Sequence, residues 1–487
     1  VTMPSFAADD RKLANKLIAE GMNVARINCA HDDPGTWTKI IEKVKLAGES
    51  RKKSYRIAMD LAGPKLRTGA MAAGPEVIHL RPERDALGHV TKPSKIWLAP
   101  PDVLPPDDSA DAILPIGELF IKKVKRGDII SFEDTRGKKC KLQIIRRQGL
   151  GRWGLCYDSA YLTTGTTLTL HRLNVPDEES AFIDKLLPTE QFITLKTGDK
   201  LILHRGLSPG EPARYDSNGN LLNPAHISCT LPEVFQFVRT GQPVFFDDGR
   251  IEGIIGETSH EQLVVKITKA RDTGSKLRAD KGINLPESAI EITGLTEKDR
   301  QDLAFVVRNA DIVNMSFVNQ AGDVEELFAE LDWHKASPGI VLKIETRNGF
   351  RNLPSILLKA MQRYPIGVMI ARGDLAIETG WKNFAGIQEE VLRICEAAHI
   401  PDIWATQVLE SMAKKGVPTR AEITDAAMAQ RAECVMLNKG TYITNATKML
   451  DRILRRMQRF HKKKETLLPR LKDADKLMLW HDEFNIL

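Results

Sequence analysis

The stretch "GIVLKIETRNGFRNLPSILLKAMQRYPIGVMIARGDL", residues 339–375, holds a complete repeating unit of structure. "GIVLKIE" (339–345) is a short apolar run rich in Ile and Val, "NLPSILLKAMQRY" (352–364) spaces its apolar residues at the helical period, and "GVMIARGDL" (367–375) is a second apolar run. Strand, helix and strand in this order form the pattern of a parallel sheet covered by helices.

The same alternation continues on both sides. Further strand candidates are "VTM" (1–3), "NVARINC" (23–29), "RIAMDL" (56–61), "DIVNMSF" (311–317), "PDIWATQ" (401–407) and "ECVMLNK" (433–439). Helical stretches such as "DDRKLANKLIAEG", "TEKDRQDLAFVVRN", "DVEELFAELDWHK" and "GIQEEVLRICEAAH" fall between them. Eight strand–helix units predict an α/β fold of the (β/α)8 TIM-barrel type, built discontinuously from residues 1–69 and 282–465, with about 250 residues, the usual size of that fold.

Between Arg67 and "KGINLP" (281–286) the pattern changes to short strands with many Gly and Pro turns. It predicts an inserted all-β lid domain over 70–281, leaving after the third barrel strand. Within it "VKRGDIISFEDTRG" (124–137) resembles "VRTGQPVFFDDGR" (238–250), and "LKTGDKLILHRG" (195–206) is a looser third copy, so two β modules are expected. The proline-rich "LAPPDVLPPDDSAD" (98–111) reads as a loop and residues 466–487 as a C-terminal tail.

With 487 residues, 42% hydrophobic and 28% charged, the chain is long enough for two or more domains and has ordinary globular composition. No apolar run is long enough for a bilayer span. Six scattered cysteines without a C-x-x-C pair fit a reducing, cytoplasmic setting. The net charge of +6 is modest, and the basic run "RILRRMQRFHKKK" (452–464) reads as the solvated face of a helix, so neither nucleic acid nor membrane is expected as a partner. "VTMPS" already looks like a strand ending in a turn, and natural sequence is expected to precede Val1.

In a barrel of this type the site lies at the C-terminal ends of the strands. Asp60 lies at the end of the third strand candidate, and Lys65 and Arg67 follow it. Lys343 and Glu345 are two apart, which places both on the same side of a strand, and Arg372 and Asp374 are again two apart around Gly373. Arg26, Asn28 and His31 end the second strand; Thr406 and Gln407 end the seventh. Taken singly, each has an ordinary structural role, such as an ion pair, a satisfied hydroxyl or a turn cap. Together, Glu345 and Asp374 offer hard oxygens to a cation such as Mg2+, while Lys343, Arg26 and Arg67 supply the positive charge that phosphate oxygens require. This is a phosphoryl-transfer constellation. No P-loop, protein-kinase signature or G-x-G-x-x-G fingerprint accompanies it, so the barrel mouth itself must hold the phosphates.

The motifs "GMNVARINCAH", "MDLAGPKLRTG", "DDGRIEGII", "KGINLPE", "LTEKDRQDL", "SFVNQAGDV", "KIETRNGFRN", "MIARGDLAIE", "ATQVLESM", "PTRAEITDAA" and "ECVMLNKG" resemble the pyruvate kinase family and occur in its order. The resemblance implies Mg2+-dependent (or Mn2+-dependent) transfer of phosphate from phosphoenolpyruvate to ADP, giving pyruvate and ATP in glycolysis. It implies that Lys343 neutralises the phosphoryl group in flight and Arg26 contacts it. Glu345 and Asp374 would bind the metal, and the backbone at Gly373 and Asp374 with the Thr406 hydroxyl would hold the substrate carboxylate. Asn28, His31, Arg67 and Lys281 fall where the family binds nucleotide.

Several positions depart from the family pattern. A Ser-Gly-Glu-Thr type stretch is here Asn438-Lys439-Gly440-Thr441, which removes a hydroxyl and a carboxylate from the edge of the proton-relay region, and an Arg usual after "SFV" is Asn319. The family's C-terminal domain is expected to be absent, residues 70–190 exceed the usual lid, and any homo-oligomer is expected to use barrel surfaces. The family's Asp-Thr-Lys-Gly-Pro-Glu motif reads Asp60-Leu61-Ala62-Gly63-Pro64-Lys65, and its serine ligand to potassium is Ala30. Losing oxygen ligands and gaining a fixed ammonium predicts that K+ is not required, with Lys65 as its surrogate. The alternatives are a catalytically weakened binding or regulatory protein, and a metal-dependent pyruvate-enolate lyase on the same barrel.

Overall fold

The computed structural model describes residues 1–107, 109–171, 179–288, 294–458 and 460. The chain forms two compact units, one made of Val1–Ala70 with Ile193–Leu487 and the other of Met71–Phe192. The single insertion expected over 70–281 is thus divided: its later part, 193–281, groups with the barrel segments. The expected tail, 466–487, and the end of the basic run lie outside the described residues.

In the first unit, seven parallel strands among the described residues pair in chain order: β1 (Val24–Asn28), β2 (Arg56–Asp60), β3 (Ile312–Met315), β4 (Gly339–Ile344), β5 (Ile366–Ala371), β6 (Asp402–Ala405) and β7 (Cys434–Val435). The eighth candidate, "VTM", is a single parallel bridge rather than a full strand, Thr2 against Arg26. It nevertheless closes the ring. Thr2 N–H donates to the Leu437 carbonyl at 2.9 Å on one side, and Met3 N–H donates to the Arg26 carbonyl at 2.9 Å on the other.

Helices cover this sheet, and their starts are written locally. Asp33 caps Pro34–Arg51, with proline at a first-turn position where its missing N–H costs nothing. Thr296 and Thr419 open Glu297–Asn309 and Arg420–Met428 through capping boxes with Asp299 and Glu422. The two-residue strand period then sorts each strand. On β4, Ile340, Leu342 and Ile344 join the large core under the helices, whereas Val341 packs in a small inner cluster with Met369, Ala405 and Met436. Lys343 alternates with the outer set, so it shares the inner side with Val341.

After β2 the chain leaves the sheet, and the departing and returning segments are tied by an antiparallel bridge between Arg67 and Gly282 and by Thr68 N–H donating to Lys281 O at 2.8 Å. A six-stranded sheet runs Ala225–Ser228, Lys200–His204, Gln262–Lys269, Ile251–Thr258, Pro243–Phe246, Ile283–Asn284.

The second unit holds a seven-stranded sheet among its described residues, with a core that includes Ile96, Leu98, Ile130, Leu142 and Leu168, and one six-residue helix, Glu118–Lys123. The three copies of the sequence repeat share one geometry. Gly127, Gly198 and Gly241 have φ of 92°, 97° and 90°, a region open to glycine. Each N–H donates at 2.8 Å to an isoleucine carbonyl, of Ile144, Ile267 and Ile255 respectively. A strand begins two residues later in every copy.

Candidate active site

Four charged side chains meet at the C-terminal ends of β1, β2 and β4. Arg26 grips Asp60 with two nitrogens, Nε to Oδ1 at 3.0 Å and Nη2 to Oδ2 at 2.6 Å, and its third nitrogen donates to Thr2 Oγ1 at 2.9 Å. The Lys343 ammonium lies 2.8 Å from Glu345 Oε1 and 3.4 Å from Asp60 Oδ2, and donates to Ser316 Oγ at 2.7 Å. The expectation that Lys343 and Glu345 face one side therefore holds, and they form an ion pair. Asn314 Nδ2 donates to Asp60 Oδ1 at 2.6 Å, and Ser316 passes its own proton to the Leu61 carbonyl at 2.6 Å.

Burial shapes the charges. It would raise the Asp60 carboxyl, but the charges of Arg26 and Lys343 and the hydrogen bonds from Arg26 and Asn314 outweigh it and hold the group below the usual carboxylate range. Burial likewise works against the Lys343 ammonium, and the carboxylates of Glu345 and Asp60 overcome it, so its pKa is raised. The cluster thus sets two basic side chains, Arg26 and Lys343, against two acidic ones, Asp60 and Glu345.

A second pair stands beside this cluster. Lys65 Nζ lies 2.9 Å and 2.8 Å from the two oxygens of Asp374 and 5.8 Å from the centroid of the Phe317 ring. Asp374 sits on a helix, Arg372–Thr379, that begins directly after β5. The reading of "GVMIARGDL" as one strand is corrected here. Arg372 and Asp374 point to different partners because they are two apart on a helix. Arg372 donates to the Ala405 and Thr406 carbonyls at 2.9 Å and 2.7 Å, pairs with Asp425 and covers the Trp404 ring at 4.5 Å. It anchors the helix that carries Asp374.

Thr406 and Gln407 follow β6 in the left-handed region, with φ of 66° and 58°, an uncommon conformation for residues with a Cβ. Thr406 Oγ1 is buried and has no hydrogen-bond partner among the described residues. A Cβ at position 373 would stand 3.4 Å from that oxygen, so the hydroxyl abuts the Gly373 backbone. Gly373, Asp374, Thr406, Trp381, Phe384 and Asn438 line a cavity of about 450 Å3. A neighbouring cavity of about 210 Å3 is lined by Arg26, Asn28, His31, Asn438 and Lys439.

The remaining expected residues are placed differently. Arg67 and Lys281 line neither cavity: Arg67 Nη1 lies 3.4 Å from Asp280 Oδ1 and Lys281 Nζ lies 3.1 Å from Asp247 Oδ1, on the segments leaving and re-entering the barrel. His31 is lowered by burial, then by the nearby charges of Lys439 and Arg67, and so is a neutral imidazole near neutral pH. Asn28 Oδ1 accepts from Ala30 N–H at 3.1 Å.

Sequence reading passed over Asn314, Ser316, Asp425 and Glu378. Asn314 and Ser316 interrupt the apolar run "DIVNMSF" two residues apart, a signal of an inward polar face. Glu378 is buried, accepts from Asn284 Nδ2 at 3.0 Å and is pushed up to about 7 by burial first and then by Asp374.

Glu345 and Asp374 bring two carboxylates to the barrel mouth, and among the described residues no group of three or more His, Cys, Asp or Glu could hold a metal. Two carboxylates suit Mg2+, which usually takes one or two from protein and its other oxygens from substrate and water.

A family model described as pyruvate kinase, barrel domain, matches residues 2–94 and 190–447. The pyruvate kinase PKLR of Homo sapiens is 36% identical over 231 residues, 46% of this chain and 39% of that protein. A pyruvate kinase of Geobacillus stearothermophilus is 32% identical over 290 residues, covering 58% of this chain and 46% of its own length. One from Methanocaldococcus jannaschii is 33% identical over 223 residues, 44% of this chain and 48% of its own. The matched region thus spans less than half the length of each of these relatives. With more than half of its residues matched by the family's barrel model, the chain belongs to the pyruvate kinase family.

Proposed function

We propose that the chain transfers the phosphoryl group of phosphoenolpyruvate to ADP, giving pyruvate and ATP. The observation that carries this reading is the cluster of Arg26, Asp60, Lys343 and Glu345. Its two cations are desolvated, held in fixed geometry by carboxylates and by Ser316, and need no reorganisation when charge develops on a phosphoryl group between them. Arg26 binds and orients the phosphoryl oxygens, and Lys343 stabilises them in the transition state. The buried Thr406 hydroxyl and the Gly373 backbone hold the substrate carboxylate, and Thr406 stands close to the carbon that receives a proton.

The cluster is neutral at rest, so an incoming phosphate ester needs further positive charge. Glu345 and Asp374 would hold Mg2+ or Mn2+, which when bound neutralises substrate oxygens. Pairing with Lys65 leaves Asp374 acceptor capacity, because a carboxylate offers about four lone-pair sites. Lys65 supplies a fixed monovalent charge, and on this reading K+ is not required. Asn28, His31, Arg67 and Lys281 serve ADP, and the β sheet of 193–284 acts as a lid. The partners are small molecules and the setting is cytoplasmic, in keeping with six cysteines free of disulfides and no described helix long and apolar enough to cross a membrane.

Pyruvate formation coupled to NADH oxidation, with phosphoenolpyruvate, ADP and Mg2+, tests the reading. Turnover that requires all three supports it. Pyruvate formed without ADP would point to an enolate lyase, and tight substrate binding without turnover to a binding protein.

A further inference from the structure

The sheet of 193–284 brings two histidines together away from the cluster at the barrel mouth. His204 ends the strand Lys200–His204, and His226 lies in the parallel neighbour Ala225–Ser228. Both are half-buried. His204 Nε2 and His226 Nδ1 are 3.2 Å apart, and the ring centroids are separated by 5.3 Å. The other nitrogen of His204, Nδ1, lies 3.1 Å from the Gly206 carbonyl. A carbonyl only accepts, so Nδ1 carries the proton and Nε2 presents a bare lone pair toward His226.

We propose that His204 and His226 form a two-imidazole clip for a divalent transition-metal ion of the zinc and copper class. Two observations support it. Imidazole nitrogens bind zinc at about 2.0–2.1 Å, and two of them 3.2 Å apart subtend about 100° at the ion, close to the tetrahedral angle. A ligating histidine ordinarily donates its second ring N–H to a carbonyl or carboxylate, the arrangement His204 makes with Gly206. No third His, Cys, Asp or Glu completes the set among the described residues, so water fills the remaining positions and affinity is moderate. His226 must then carry its proton on Nε2, a shift of tautomer with no net proton release.

The site would tie together two strands separated by the hairpin at 214–223. The residues after His226 bind the segment leaving the barrel: Gly69 N–H donates to Ser228 O at 2.8 Å and Thr230 N–H to Arg67 O at 3.0 Å. An ion here would stiffen the strand that supports Arg67, independently of the phosphoryl-transfer reading.

The test is isothermal titration of the metal-stripped full chain with ZnCl2, for wild type, His204→Gln and His226→Gln. We expect each substitution to remove one zinc equivalent or weaken it by about tenfold or more, with far-ultraviolet circular dichroism unchanged. Identical stoichiometry and affinity in all three chains would overturn the proposal and leave the pair as a hydrogen bond only. Should the variants fail to fold, electron paramagnetic resonance of wild type with one equivalent of Cu2+ decides. Coordination by two imidazole nitrogens supports the clip, and coordination by one or none refutes it.

Discussion

The Lys65 ammonium sits 2.9 Å and 2.8 Å from the two carboxylate oxygens of Asp374, so a fixed positive charge stands against one of the two carboxylates proposed to hold the metal. Both side chains are only partly exposed. If this charge takes the place of a monovalent ion, turnover in sodium or tetramethylammonium buffer should equal that in potassium buffer. Lys65→Glu should lose most activity. A tenfold or greater rise of wild-type turnover on adding potassium would remove Lys65 from this role.

On the proposed reading, Lys343 would act on charge that develops during transfer, whereas binding of phosphoenolpyruvate would be shared with Arg26 and the metal. Lys343→Ala should therefore lower kcat by about two to four powers of ten while substrate affinity changes little. Steady-state kinetics and equilibrium binding measured together check this, and turnover within tenfold of wild type contradicts it.

Arg372 is largely buried, and Asp425 is its only carboxylate partner among the described residues. Asp425→Ala leaves that guanidinium uncompensated and should cost about 3 kcal/mol of stability, read as a lower denaturation midpoint. Because Arg372 anchors the start of the helix that carries Gly373 and Asp374, KM for phosphoenolpyruvate should rise in the folded variant. A variant with wild-type stability and KM would show that the pair does not position the helix.

Burial, and then the nearby Asp374, push the Glu378 carboxyl from its ordinary 4.5 up to about 7 in the folded chain. The folded state holds this proton more tightly than the unfolded state, so its contribution to stability is complete below the ordinary value and is lost as pH rises through about 7. Glu378→Gln should remove that loss and make the protein more stable than wild type at pH 8 by about 3 kcal/mol. Denaturant unfolding at pH 5 and pH 8 for both chains measures it, and parallel pH dependence would refute it.

The barrel was legible because its strands are nearly continuous apolar runs and their helices begin with capping residues that act locally. Thr296 and Asp299 state a helix start within four residues. The inward column of Lys343 and Glu345 was legible for the same reason, since a strand's period is fixed. Arg372 and Asp374 were misread because the three residues after Ala371 fit a strand extension as well as a helix start, and only the packing of Arg372 on Trp404 and Asp425 decides between them. The partners of Asp60 were beyond reach, because Asn314 lies 254 positions away and only the pairing of β2 with β3 makes them neighbours. The division at 70 and 192 was hidden because turn-plus-strand repeats look alike in both parts.

The bridge between Arg67 and Gly282 also bears on how the barrel can assemble. β2 and β3 must find each other across some 250 residues of chain, yet the entropy of closing a flexible loop grows only with the logarithm of its length, about 0.6 kcal/mol for each doubling. Once the insertion pairs its own two ends, as it also does within Met71–Phe192 at Ala73 and Glu190, the barrel meets it as a short hairpin whatever its content. The tied neck lets the segment between the two strands lengthen in evolution with little penalty to the stability of the barrel.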